Sequence, residues 1–321
     1  MPVRFTTPSL GGQRQQDVRP HQWQVGLAYR RLTAEEWYVG TQVHEEQAPF
    51  GQPLFLNINS LDVTFTYGVS NRFSLALTLP FSHGTHSRFY ADGARHEVSA
   101  AGLGDINLVA TMWLRDPAAG PPGNLALGLG VKTPSGSNHI EDDYVTASGT
   151  TRYFVDQSIQ LGDGGWGIIA QAQGFQRVAG RLYGYASGSY LASFREKTDV
   201  AFATAAGTAS SVIMAVPDVY SARIGAAYVV LPARGLSVSL GARLDGIPVR
   251  DVIGGGDDGF RRPGYTLYLD PGVSYSLAGG TLTVSTPRAL AQDFKPDLVA
   301  THPKGGDLAD YLIFVGYAHR L

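Results

Sequence analysis

Apolar residues recur at every second position along most of this chain. In 73–81, Phe73, Leu75, Leu77, Leu79 and Phe81 alternate with Ser74, Ala76, Thr78 and Pro80. The alternation returns in Trp23–Tyr29, Leu61–Val69, Ile106–Leu114, Leu125–Val131, Tyr220–Val230, Leu236–Leu244, Leu267–Leu277 and Tyr311–Leu321. A period of two predicts β-strands with two chemically different faces. One face is apolar and uncharged. The other is Gly, Ala, Ser, Thr, Gln and Asn with an occasional Asp or Arg. Such strands suit a wall between lipid and a wet lumen.

The connections between these strands alternate in length. Short ones, rich in Gly, Pro and Asn, fall at Ser70–Arg72, Arg115–Gly123, Val178–Arg181, Pro232–Gly235 and Ala278–Gly280. Long ones fall at Thr33–Pro53, Ser82–Ala101, Pro134–Gly164, Glu196–Asp218, Ile247–Gly264 and Gln292–Gly306. The pattern predicts an all-β chain: a transmembrane antiparallel up-and-down β-barrel of about 12 strands, with short periplasmic turns and long extracellular loops. Residues 1–20 are expected to form a periplasmic N-terminal segment and 21–321 a single barrel domain. The first strand is expected to pair with the last, removing sheet edges. Same-face aromatics in Trp23–Tyr29, Phe73–Phe81, Tyr220–Tyr228 and Tyr265–Tyr275 lie six to ten residues apart. At about 2.6 Å of axial rise per tilted residue they span roughly 16–26 Å, close to the apolar band between aromatic girdles.

Composition narrows the alternatives. A net charge of −2 gives no reason to expect a nucleic-acid partner. The absence of cysteine excludes disulfides and thiolate metal sites. No apolar run reaches the roughly 18 residues of a membrane-spanning helix. A soluble β-sandwich also alternates, but its polar face would carry many Lys and Glu. Here Lys132 is the one lysine in the predicted strands. An outer-membrane location expects a signal peptide ahead of the mature chain, and the start, Met1-Pro-Val-Arg-Phe-Thr, has no apolar h-region.

Several segments carry a family resemblance. Gly102-Leu-Gly-Asp105-Ile-Asn-Leu, Leu125–Gly136, Gly162-Asp-Gly-Gly-Trp166-Gly, Gly246-Ile-Pro248, Arg262-Pro-Gly264-Tyr and Asp270-Pro-Gly272-Val-Ser-Tyr275 resemble the bacterial "MetA-pathway of phenol degradation" family of transporter-like outer-membrane barrels. The likeness covers most of the chain after about Leu54 and implies a barrel that carries hydrophobic organic molecules. The last strand, Tyr311–Leu321, is similar to the carboxy-terminal insertion signal of outer-membrane proteins, ending in Leu rather than Phe.

By strand parity the lumen face collects Arg30, Asp62, Asp105, Lys132, Arg223, Arg243, Asp245, Asp270 and Arg320. Charges of both signs there serve either to orient and filter a solute or to brace the barrel as salt bridges. Arg223 and Arg243 are expected within reach of Asp245, Asp270, Asp62 or Asp105. Twelve tilted strands enclose a lumen of roughly 10–14 Å after side chains are placed, unless loops fold inward. The loop Glu196–Asp218 is uncharged from Val200 to Pro217; Phe202, Ile213 and Met214 make it a candidate greasy gate at the mouth. The alternatives are an extension of neighbouring strands above the membrane and packing beneath other loops. His44, His83, His86, His96, His139 and His302 fall in predicted loops, beside Glu45, Glu46, Glu141, Asp142 and Asp143, without a strict metal-ligand spacing. Ser82-His83 is a possible hydrolase pair.

The leading expectation is an outer-membrane channel for small hydrophobic or aromatic molecules, with no reaction, cofactor or metal. An outer-membrane hydrolase with a loop-end site, and a structural or surface-binding barrel with a blocked lumen, are the alternatives. Expected partners are outer-membrane lipid, small organic solutes and, during biogenesis, the barrel-assembly machinery; the chain is expected to be monomeric.

Overall fold

The protein is described from a computed structural model covering residues 19–44, 55–90, 92–146, 148–203, 209–253, 259–299 and 305–321. The strands, in chain order, are β1 (Trp23–Ala34), β2 (Tyr38–Val39), β3 (Gln42–Val43), β4 (Phe55–Gly68), β5 (Phe73–Phe89), β6 (Arg95–Leu103) and β7 (Asn107–Trp113). Then come β8 (Gly123–Lys132), β9 (Glu141–Thr146), β10 (Gly149–Phe154), β11 (Gly167–Ala179), β12 (Leu182–Ser193), β13 (Lys197–Ala203) and β14 (Ala209–Ala215). The last six are β15 (Val219–Leu231), β16 (Leu236–Ile247), β17 (Gly264–Leu277), β18 (Gly280–Ser285), β19 (Arg288–Phe294) and β20 (Tyr311–Arg320).

Twelve of them close a barrel in the order β1-β4-β5-β7-β8-β11-β12-β15-β16-β17-β18-β20, with β20 pairing back onto β1 from Gln24↔Arg320 to Thr33↔Tyr311. Every pairing in this ladder is antiparallel, and closure leaves the ring without an edge. The alternation read from the sequence sets the faces. Leu75, Leu77 and Phe81 of β5 are exposed on the outer wall, whereas Ser74, Ala76 and Thr78 line the interior. Leu27, Leu61, Leu108, Leu127, Leu129, Ile224 and Leu240 are exposed in the same way, forming an apolar outer belt that water would penalise and lipid would not.

The long connections are not all loops. The expected loop Ser82–Ala101 is largely a tall hairpin, because β5 runs on to Phe89 and pairs with β6 from Phe81↔Leu103 to Phe89↔Arg95. His83, His86 and His96 therefore lie on strands. Pro134–Gly164 contains the hairpin β9–β10, and Glu196–Asp218 the hairpin β13–β14. Residues 155–163 turn down into the barrel and are almost wholly buried. There Val155 and Ile159 join Leu32, Leu56, Ile58, Val98, Tyr144, Tyr268 and Leu312 in one apolar core. Gly84 makes the inward loop possible: a Cβ there would stand 2.7 Å from Ile159 Cγ2. The half of the lumen nearest the long loops is thus filled, against the open 10–14 Å bore expected from strand number alone.

Candidate functional site

In the half nearest the short turns the interior remains hollow, with a cavity of about 330 Å³. Its walls are the inward positions of the strands. Hydroxyls of Ser60, Thr64, Thr78, Ser82 and Thr111 and amides of Gln24, Gln171 and Gln173 line much of it. Facing hydroxyls pair across strands, Ser60–Ser82 and Thr64–Thr78, each at 3.0 Å. An apolar strip of Val109, Ile169 and Leu191 also lines the cavity and packs with Val219. Ile159 and Leu161 of the inward loop form the ceiling.

Four of the predicted lumen charges reach this cavity: Arg30, Asp62, Asp105 and Lys132, all buried. Arg30 Nη2 donates to Ser60 Oγ at 3.3 Å. Lys132 uses its three ammonium hydrogens on Asp105 at 3.0 Å, Asp163 at 2.6 Å and the Gly165 carbonyl at 2.6 Å. Asp105 accepts in turn from the Gly136 N–H at 2.9 Å. This junction stitches the inward loop to a discontinuity in the wall. β7 ends its pairing with β8 at Asn107↔Lys132, β8 stops there, and β6 continues upward with β5 as its one strand partner among the described residues. Residues 104–106 bulge between β6 and β7, with Gly104 N–H bonded to the Pro80 carbonyl at 2.7 Å. Residues 133–136 close this notch in the strand ladder, with Thr133 N–H donating to the Ile106 carbonyl at 2.9 Å and Ser135 Oγ to the Gly104 carbonyl at 3.0 Å, and Gly104, Pro80, Asp105 and Leu161 line the cavity beneath it.

The other four form a separate belt. Arg223 Nε donates to Asp270 at 2.7 Å, and Arg243 Nε to Asp245 at 2.7 Å. Arg223 and Arg243 stand directly opposite each other on β15 and β16, an arrangement like charges resist. The two carboxylates, each two rungs or less away, offset it. Arg243 also lies over the Phe314 ring at 4.8 Å. None of these four lines the cavity. Their placement is that of bracing rather than of contact with a solute. Arg320, expected in the lumen, is exposed at the short-turn rim.

The candidate gate lies above the inward loop. Met214 is buried and Ile213 half-buried, and neither lines the cavity. β14 bridges to Phe260, and Gln157 donates to the Ala215 carbonyl at 2.8 Å, so the hairpin β13–β14 lies over the inward loop. The side chain of Phe202 lies outside the described residues, as do Glu45, Glu46 and His302. The remaining histidines form no metal-holding group among the described residues. His96 pairs with Asp92 at 2.7 Å and His139 with Asp199 at 3.1 Å. Ser82 and His83 are neighbours on β5 and so point to opposite faces, and no dyad forms between them.

Of the loop carboxylates near the long-loop end whose surroundings shift them, Asp156 and Asp310 are displaced furthest. Burial alone would raise Asp156, but the Arg262 guanidinium beside it wins and holds it well below. Burial pushes Asp310 up to about 7, with Glu36 and Asp307 adding to the shift. The inward loop itself was missed by strand periodicity, and so was Asp163, the third member of the lysine junction. Its signal is the alternation Ile159, Leu161 against Ser158, Gln160, followed by the glycine-rich run Gly162-Asp-Gly-Gly.

The fold has solved counterparts. An outer membrane channel from Pseudomonas putida F1 superposes with a TM-score of 0.63 at 16% identity, covering 95% of this chain and 98% of that one. The toluene transporter TodX of P. putida aligns at 0.46 and 10% identity, over 97% of this chain and 93% of its own. The CymD monoaromatic hydrocarbon channel aligns at 0.45 and 10%, over 100% and 95%. The last two are too loose to fix a strand correspondence. No family model and no curated relative matches the chain.

Proposed function

We propose that the protein is an outer-membrane channel for small hydrophobic or aromatic molecules. The observation that carries this reading is that the cavity reaches the closed notch at Gly104, Pro80 and Leu161. Straight passage along the axis is filled by the apolar core, so a solute's route between the cavity and the outside runs past the inward loop or through the notch beside it. Apolar side chains, Val109, Ile169, Leu191, Ile159 and Leu161, line that end of the cavity and favour a solute that leaves water readily. The Lys132 junction is the clasp that holds the notch shut. The short turns then face the periplasm and the long loops the exterior.

A blocked, surface-binding barrel is the second reading, and the packed core of the upper half favours it. Uptake by proteoliposomes separates the two. Channel function expects a monoaromatic hydrocarbon to enter faster than into empty liposomes, with a sugar of similar size excluded, and Leu161→Asn to slow the hydrocarbon. Equal hydrocarbon uptake with and without the protein would establish the blocked barrel instead.

A further inference from the structure

The short-turn end carries an unbalanced positive charge. Arg72 lies in the β4–β5 turn and Arg115 in the β7–β8 connection. Arg177 and Arg181 flank the β11–β12 turn, and Arg234 sits in the β15–β16 turn. Arg19 and Arg320 extend the ring to the closing pair β1–β20. All are exposed, and among the described residues none forms an ion pair. Among the described side chains the one carboxylate at this end, that of Asp116, is engaged by the Ala118 N–H and the Asn71 amide, each at 2.9 Å. The other described carboxylates lie within the barrel or toward the long loops.

The register fixes the depth of these guanidiniums. Arg320 pairs with Gln24 of the lumen wall, one residue to the membrane side of the exposed Trp23, so it stands at the mouth of the lumen rather than beyond the girdle. The Arg181 carbonyl accepts from Val229 N–H, one residue from the exposed Tyr228. Arg234 is two residues from Leu236, which pairs with Tyr275. One or two residues at about 3.4 Å each place Arg181 and Arg234 just beyond the aromatic girdle, where lipid headgroups lie. Arg72 lines the cavity mouth, whereas Arg19, Arg115, Arg181 and Arg234 are spread around the barrel rather than clustered on one side, which suits an annulus of lipid better than a docked protein.

We propose that this rim binds the anionic headgroups of phospholipids in the periplasmic leaflet. The inference rests on the outer-membrane reading above. Near an anionic surface each such charge is attracted on the scale of about fivefold in affinity. The test uses the full chain carrying Trp166→Phe, which leaves Trp23 as the exposed tryptophan on the barrel wall. It is reconstituted in phosphatidylcholine vesicles containing brominated phosphatidylglycerol or brominated phosphatidylcholine, and tryptophan quenching is read. The expected result is an apparent preference for phosphatidylglycerol of about fivefold. High salt abolishes it, and so does the variant Arg115→Gln/Arg181→Gln/Arg234→Gln. A preference unchanged by salt, or unchanged in that variant once a heat-modifiable band shows it folded, overturns the proposal. So does loss of the preference on adding inorganic phosphate at constant ionic strength, which would assign the rim to soluble anions. Binding of polyglutamate without any lipid preference would assign it to an acidic protein and overturn it equally. A chain that enters no vesicle at all defeats the membrane reading rather than the headgroup assignment alone.

Discussion

Along β4 the inward residues change in kind from one end to the other. Leu56 and Ile58 lie among the filled upper half, Ser60 and Asp62 at the middle, Thr64 and Thr66 against the cavity. β1 repeats the series in reverse, from Gln24, Gly26 and Ala28 through Arg30 to Leu32 and Ala34. The two halves of the lumen therefore differ in what holds them. In the upper half a long loop brings its own apolar side chains, and both loop and wall lose exposed surface by packing. In the lower half no loop arrives, and the wall keeps hydroxyls and amides that remain content facing water. Stability resides above and room for a solute below, with buried ion pairs at the boundary.

The largest expected effect tests that boundary. Arg243→Ala leaves Asp245 buried without its partner and removes the contact with Phe314. A loss of about 3–5 kcal/mol is expected, measured as a lower urea midpoint for the heat-modifiable folded band. A midpoint within error of the parent would show the belt to be dispensable. Next comes Ile159→Ala in the upper half. It leaves a void beside Gly84 and costs about 2–4 kcal/mol, with increased ion conductance in planar bilayers as the ceiling loosens. Full stability and unchanged conductance would mean that the inward loop does not plug the barrel. The smallest effect belongs below: Thr78→Val removes a 3.0 Å hydroxyl pair, yet Thr64 still faces the cavity, so the change in stability stays within about 1 kcal/mol. A cost equal to that of Ile159→Ala would erase the distinction between the halves.

Much of the wall was legible in the sequence. Period-two alternation assigned Phe73–Phe81 its outer and inner faces, and alternating connection lengths separated the two ends. Those signals are local: a strand's faces follow from the backbone pleat, and a tight turn needs its Gly, Pro or Asn wherever it occurs. Parity grouped Arg30, Asp62, Asp105, Lys132, Arg223, Arg243, Asp245 and Asp270; all eight are buried, and Arg223 and Arg243 each reach an aspartate. Parity did not separate the four that touch the cavity from the four that do not. That division depends on neighbours around the ring and on what fills the space between them.

The sequence by itself determined the barrel strands, their two faces and the count of about twelve, because each is written in residues a few positions apart. Tertiary structure alone decided that residues 155–163 enter the lumen, that Lys132 joins Asp105 to Asp163, and that β8 stops short to leave a notch. These features join segments separated by tens of residues, and their stability comes from mutual burial. Gly84 accepts Ile159, and Lys132 bridges two carboxylates, only when the closed barrel brings them together.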